Sequence, residues 1–157
     1  MPETRLARVN TRVFTGDALL EDHAVVVEAG VVRSVCPRRE LPQADCEHQD
    51  LGGATLVPGL VDLQVNGGGG ALFNADPGVA CIRTMGTAHR GFGTTGFLPT
   101  LISDDFDTMR RAIAAVGQAM REDVPGVLGI HLEGPFLNPA KSGAHDAGRM
   151  RVLDEEG

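Results

Sequence analysis

Hydrophobic and polar positions along the chain fall into two regimes that meet near Val57. Ahead of it, apolar residues come in short β-branched runs. Ala24-Val25-Val26-Val27 and Val31-Val32-Arg33-Ser34-Val35 flank Ala29-Gly30, the pattern of a hairpin, and Pro37 and Pro42 then break the run. Beyond Val57, apolar runs alternate with helical spacing. Leu56 to Val65, interrupted by Pro58-Gly59, predicts a buried strand. Asp76-Pro77 supplies an N-cap and a first-turn proline for a helix whose Val79, Ile82, Met85 and Ala88 share one face, closed by Gly91 and Gly93. Thr94 to Ile102 predicts a second strand. Ser103-Asp104-Asp105 caps a second helix, with Phe106, Met109, Ile113, Val116 and Met120 as its core stripe and Asp107 with Arg111 as a solvated i,i+4 pair. Pro125-Gly126 stops that helix, and Val127 to Leu132 predicts a third strand. The order β-α-β-α-β implies parallel strands joined by right-handed crossovers.

Composition narrows the function classes. The 157 residues, 42% hydrophobic and 22% charged, describe a globular protein. Lys+Arg 14 against Asp+Glu 21 gives a net charge of -7, which disfavours phosphate backbones and anionic lipid as partners. The absence of Trp and Tyr argues against a base-stacking platform. Cys36, Cys46 and Cys81 are odd in number and lack CxxC spacing, so neither a disulfide framework nor a four-thiolate zinc site is expected, and a cytoplasmic setting is the simplest. The first twenty residues hold no apolar run of a secretory signal, and Ala24 to Val32 is far short of a membrane span. His23 and His48 sit among loop-like neighbours and read as hydrogen-bonding or solvent-facing.

In a parallel sheet, ligands meet the carboxyl ends of the strands. The first strand runs out through Asp62, Gln64 and Asn66, whose alternation puts them on one face, into Gly67-Gly68-Gly69-Gly70. Three polar side chains on one face of an apolar strand are costly unless paired, and the glycines favour close backbone approach to a ligand; a solvated sheet face is the plain alternative. The third strand ends in His131, Leu132 and Glu133 before Gly134-Pro135. His131 and Glu133 share a face, and the turn places the Glu133 carboxylate at the strand mouth, where it can ligate a metal, serve as acid or base, or simply neutralise a buried cation. The polar loop beyond carries Lys141, Ala144 and His145.

Three stretches, Leu56-Val57-Pro58-Gly59-Leu60-Val61-Asp62, Gly93-Thr94-Thr95-Gly96-Phe97-Leu98-Pro99-Thr100-Leu101, and His131-Leu132-Glu133-Gly134-Pro135-Phe136-Leu137-Asn138-Pro139 continuing through Lys141-Ser142-Gly143-Ala144-His145, closely resemble the N-acetylglucosamine-6-phosphate deacetylase family of the amidohydrolase superfamily. The resemblance runs from residue 20 to the end and covers only the amino-terminal portion of the family. It implies an α/β chain forming an incomplete (β/α)8 TIM-type barrel, its first three βα units within residues 58–157, preceded by strands of a small β-sandwich in residues 1–57. It implies that Glu133 ligates one divalent metal ion, Zn2+ by family, that Ala144 and His145 contact the amino-sugar substrate, and that Gln64, Asn66 and His131 lie near the site. Gln64 and Asn66 stand where many superfamily members carry His-x-His; carboxamides are weak zinc ligands beside imidazole, so a single metal is expected. The implied reaction, part of amino-sugar catabolism, hydrolyses the acetamide of N-acetylglucosamine 6-phosphate to glucosamine 6-phosphate and acetate. The implied partners are a small-molecule amino-sugar phosphate and, for a full-length form, copies of itself as a homo-oligomer, with no nucleic acid and no membrane. A cyclic amidase or deaminase of the same superfamily, or a non-catalytic sugar-phosphate-binding remnant, are the competing readings.

A complete barrel needs about 250 residues, and residues 151–157 offer no fourth strand. The family's two metal-binding histidines and its catalytic aspartate are therefore expected beyond residue 157. A catalytic zinc usually takes three protein ligands, so the 157-residue polypeptide alone is expected neither to hold zinc stoichiometrically nor to turn over substrate.

Overall fold

The computed structural model describes residues 5–41 and 46–154; Pro42, where a break in the strand pattern is expected, lies outside the described residues, as do residues 155–157. The chain separates into two compact units, Met1–Pro58 and Gly59–Gly157.

The first unit is a mixed five-stranded sheet. Strands β1 (Arg5–Phe14), β2 (Leu19–Glu28), β3 (Val31–Pro37), β4 (Cys46–Asp50) and β5 (Thr55–Leu56) assemble in the order β3-β2-β1-β4, with β5 also on β1. Alternation in β1 buries Ala7, Val9, Thr11 and Val13, and β2 adds Ala24, Val25 and Val26. The expected hairpin forms with Glu28 opposite Val31, and its two turn residues, Ala29 and Gly30, take positive φ of 50° and 76°. The expected strand from Leu56 to Val65 is split. Leu56 pairs with Val13 of β1 in this unit, and a separate strand, β6 (Leu60–Val65), begins after Pro58-Gly59. Proline has no N–H for a ladder, and a Cβ at Gly59 would collide with the Thr95 side chain.

The second unit holds β6, the short strands β7 (Gly67–Gly68) and β8 (Ala71–Leu72), helix α1 (Val79–Arg90), β9 (Thr94–Ile102), helix α2 (Phe106–Arg121) and β10 (His131–Glu133). β6, β9 and β10 form one sheet in the order β10-β9-β6, parallel throughout, as the alternation of elements requires. Its core gathers Val65, Phe73, Ile82, Met85, Phe97, Leu101 and Val116 between strands and helices.

Several boundaries differ from the sequence reading, each for a local reason. Helix α1 starts two residues late and its N-cap is Gly78, without a side-chain cap. The Gly78 N–H turns back to the Asp76 carbonyl (2.8 Å), and the helical bonds open with the Ile82 N–H on the Gly78 carbonyl (3.1 Å). On α2 the buried face is Ala112, Ala115, Val116 and Ala119; Ile113 and Met120 stay 48% and 47% exposed, so the stripe is rotated toward the alanines, whose small side chains allow close approach. Asp107 pairs with Arg110 at 2.8 Å rather than with Arg111. The third strand shortens to His131–Glu133. Gly126, at φ +87°, bends the chain, so Val127 makes only an isolated parallel bridge to Phe97 and the ladder resumes at His131.

Candidate active site

The carboxyl ends of β6 and β10, with the loop after β10, enclose a cavity of ≈ 560 Å³ lined by Gln64, Asn66, Glu133, Lys141, Ala144 and His145, among others. Residues 69 positions apart meet there: Gln64 Nε2 donates to Glu133 Oε2 at 2.7 Å. On the other side, His145 Nε2 lies 3.4 Å from Glu133 Oε1. The side chain of His145 is only 7% exposed and that of Glu133 34%. The carboxylate therefore faces the cavity with an amide on one oxygen and an imidazole on the other.

The backbone holds these groups in place. β9 and β10 run in register, with Glu133 beside Ile102 and His131 beside Thr100. The buried Thr100 hydroxyl accepts the Val65 N–H of β6 (3.0 Å) and lies 3.3 Å from His131 Nδ1, so one side chain joins all three strands. His131 therefore engages Thr100, while Glu133, two residues on, opens into the cavity. Asn74, after β8, clamps the end of β9: its Oδ1 accepts the Ile102 N–H (3.1 Å) and its Nδ2 donates to the Ile102 carbonyl (3.2 Å).

The loop carrying Ala144 and His145 is tied at several points. Asn138 and Asp146 cap short 3-10 turns at Pro139–Lys141 and Ala147–Arg149. Arg149 Nη1 reaches Asp105 Oδ2 at 2.9 Å, the Arg151 N–H donates to the Pro135 carbonyl at 2.9 Å, and the Arg151 guanidinium lies 4.5 Å from the Phe106 ring centre. His145 is anchored from below by Ser103, the residue just past β9. The Ser103 N–H donates to Nδ1 at 3.2 Å and Ser103 Oγ lies 2.8 Å from the same nitrogen.

The sequence candidates do not all converge. Gln64, Asn66, Glu133, Ala144 and His145 share the cavity. Asp62 turns its carboxylate onto the Gln64 N–H (3.1 Å). The Gly67–Gly70 run serves a different purpose from the ligand approach expected of it. Gly69 and Gly70, at φ 61° and 82°, make the two-residue turn between β7 and β8, and this hairpin rests on α1, where His89 Nε2 meets the Gly67 carbonyl at 2.9 Å. Ser103 and Asn74 are absent from the sequence candidates. Ser103 carries a usable signal, a polar residue at the carboxyl end of the second strand, but its place in the capping run before α2 masks it.

The donor set fits a metal in part. Glu133 is a carboxylate at a strand mouth, yet among the described residues no group of three or more His, Cys, Asp and Glu side chains comes together to hold an ion. Glu133 thus suits one ligand position, with the others left to groups from elsewhere.

Similarity to known proteins now bears on this geometry. Residues 7–56 match the model of the NagA composite domain. An N-acetylgalactosamine-6-phosphate deacetylase of Shewanella sp. (strain ANA-3) is 43% identical over 145 residues, covering 92% of this chain and 37% of that protein. The crystal structure of N-acetylglucosamine-6-phosphate deacetylase from Pasteurella multocida superposes with a TM-score of 0.90 at 32% identity, over 97% of this chain and 40% of that one. A mutant of the Mycobacterium smegmatis enzyme, solved in complex with N-acetyl-D-glucosamine-6-phosphate, gives a TM-score of 0.77 at 31% identity, over 98% of this chain and 38% of that one. The chain spans about two-fifths of the length of these relatives. Over that shared amino-terminal portion, the chain is related to the N-acetylglucosamine- and N-acetylgalactosamine-6-phosphate deacetylases of the amidohydrolase superfamily.

Proposed function

We propose that this chain is the amino-terminal part of a metal-dependent deacetylase that hydrolyses the acetamide of an N-acetylhexosamine 6-phosphate, releasing acetate and the free amino-sugar phosphate. In this reading, β6, β9 and β10 with α1 and α2 begin a (β/α)8 barrel, and the amino-terminal sheet is part of a small β-sandwich. The observation that carries it is the Glu133 carboxylate, presented at the end of β10 to the cavity that Gln64 and His145 share.

Each side chain then has a task. Glu133 is one ligand of a single divalent ion, and the Gln64 amide, donating to Oε2, fixes the carboxylate's rotamer. When bound, the ion supplies a water acidic enough to be a nucleophile at neutral pH. His145, on the wall beside Glu133, contacts the acetamide, and a donor there stabilises the negative charge that develops on its carbonyl oxygen during attack. Ala144 adjoins the sugar. The remaining ligands and the aspartate that moves the proton come from outside these residues. The whole enzyme works in the cytoplasm as a homo-oligomer.

The epimer is the open choice. The resemblance of the motifs favours the gluco form, whereas the Shewanella relative is named for the galacto form. One experiment addresses both. This chain replaces the matching portion of the Pasteurella multocida enzyme, and acetate release is measured with each N-acetylhexosamine 6-phosphate. Turnover of either substrate with about one zinc per chain supports the deacetylase reading, and the faster epimer identifies the substrate. A folded, zinc-loaded chimaera that releases acetate from neither overturns it. The 157-residue chain assayed alone is expected to release none.

A further inference from the structure

One buried polar group is left unused by the proposed reaction. Ser103 is 5% exposed, lies at the carboxyl end of β9, and directs two groups at one imidazole nitrogen. Its backbone N–H, 3.2 Å from His145 Nδ1, can only donate. Nδ1 must then be an acceptor and the ring proton must sit on Nε2, the nitrogen 3.4 Å from Glu133 Oε1 on the cavity side. The Ser103 hydroxyl, 2.8 Å from the same Nδ1, serves either tautomer and holds the ring in place, so the backbone N–H makes the choice. Room for the hydroxyl comes from Gly134: a Cβ there would collide with Ser103 Oγ, and the Gly134 φ of +100° suits glycine.

We infer that Ser103 is a positioning residue, which sets the His145 tautomer so that the ring presents an N–H, and not a lone pair, to the cavity. The chemical consequence rests on the deacetylase reading, because an N–H can stabilise a developing oxyanion whereas a lone pair in that place would repel it. The tautomer itself does not depend on that reading.

The test separates the two. In this chain with 15N-labelled histidine rings, at mildly alkaline pH, two-bond proton–nitrogen correlations assign the tautomer, and His145→Gln identifies the signals. The expected pattern is a protonated Nε2 with an unprotonated Nδ1; a protonated Nδ1 overturns the inference and leaves the deacetylase reading standing. In the chimaera, Ser103→Ala is expected to lower kcat about tenfold, the cost of one hydrogen bond lost in the transition state, with KM nearly unchanged. The tautomer signals are expected to stay as they are, because the backbone N–H that fixes them remains, while Ser103→Thr, which keeps the hydroxyl, restores kcat. A Ser103→Ala chimaera with unchanged kcat overturns the positioning role of the Ser103 side chain. An unsubstituted chimaera without turnover sinks the deacetylase reading but not the tautomer.

Discussion

At the scale of single residues, the site depends on how few groups surround one carboxylate. Glu133 has an amide on one oxygen and an imidazole on the other, so its two neighbours are expected to fail differently when altered. In the chimaera, Glu133→Gln should cut zinc content and activity together, by about a hundredfold or more in turnover, because a ligand loss costs at least as much as the loss of a supporting contact. His145→Asn should keep the zinc and lose about a hundredfold in kcat, the usual cost of removing one oxyanion donor. Metal analysis alongside kinetics checks both; zinc loss in the histidine variant, or full activity in the glutamine variant, reverses the assignment. That Glu133 and His145 stand close together is foreshadowed by the one continuous motif that carries both. The pairing of Gln64 with Glu133 is not, since it joins two strands that become neighbours of the cavity only when the sheet forms. The tie between Ser103 and His145, 42 positions apart, is hidden for the same reason.

At the scale of elements, β9 matches its expected span from Thr94 to Ile102, whereas the buried face of α2 does not match its expected stripe. A central parallel strand is buried on both sides, so a continuous apolar run marks it directly. A helix face is chosen by what it packs against, and α2 turns its alanines inward and leaves Ile113 and Met120 at the margins. Close packing also decides the sign of a substitution in α1. Ala normally outranks Gly in a helix by about 1 kcal/mol. Yet a Cβ at Gly86 would stand 2.9 Å from the Phe97 ring, which is itself 2% exposed and cannot swing away. Gly86→Ala is therefore expected to destabilise the chain by about 1–3 kcal/mol, read by chemical denaturation; a gain in stability would mean that the ring has slack. At the head of α2, Asp105 accepts the Thr108 N–H at 2.8 Å. That bond chiefly, then the Thr108 side chain, with Arg149 adding to them, holds the Asp105 carboxyl below the usual carboxylate range. A carboxyl lowered by folding stabilises at pH values above its ordinary range and ceases to do so as pH falls through its lowered value. Asp105→Asn keeps the cap and removes the charge, so its Tm should lie below that of the parent near neutrality and converge with it in acid. A constant gap across pH would exclude the carboxylate as the source.

At the scale of the whole molecule, among the described residues the parallel sheet β10-β9-β6 has no further strand paired beyond β6 or β10, and β6 exposes Leu60, Val61 and Leu63, the last at 63%. Parallel sheets are normally covered on both faces, and open strand edges invite pairing between chains. The net charge of -7 opposes that association, and salt weakens the opposition. Sedimentation of the 157-residue chain is expected to show concentration-dependent self-association that grows with added salt and diminishes in Leu63→Lys; a salt-independent monomer would show that these surfaces are harmless. Local chemistry is enough to announce the parallel β-α-β-α-β order, the Ala29-Gly30 hairpin, the second strand and the carboxylate of the third, because backbone preference, periodicity and a distinctive motif are all written within a few neighbouring residues. Long-range packing settles the rest: that Leu56 joins the amino-terminal sheet, that the glycine run folds onto α1, and that Gln64, Glu133 and His145 meet around one cavity with Ser103 behind the imidazole. Those outcomes depend on contacts between segments dozens of positions apart, whose energies exist only once the strands have chosen their partners.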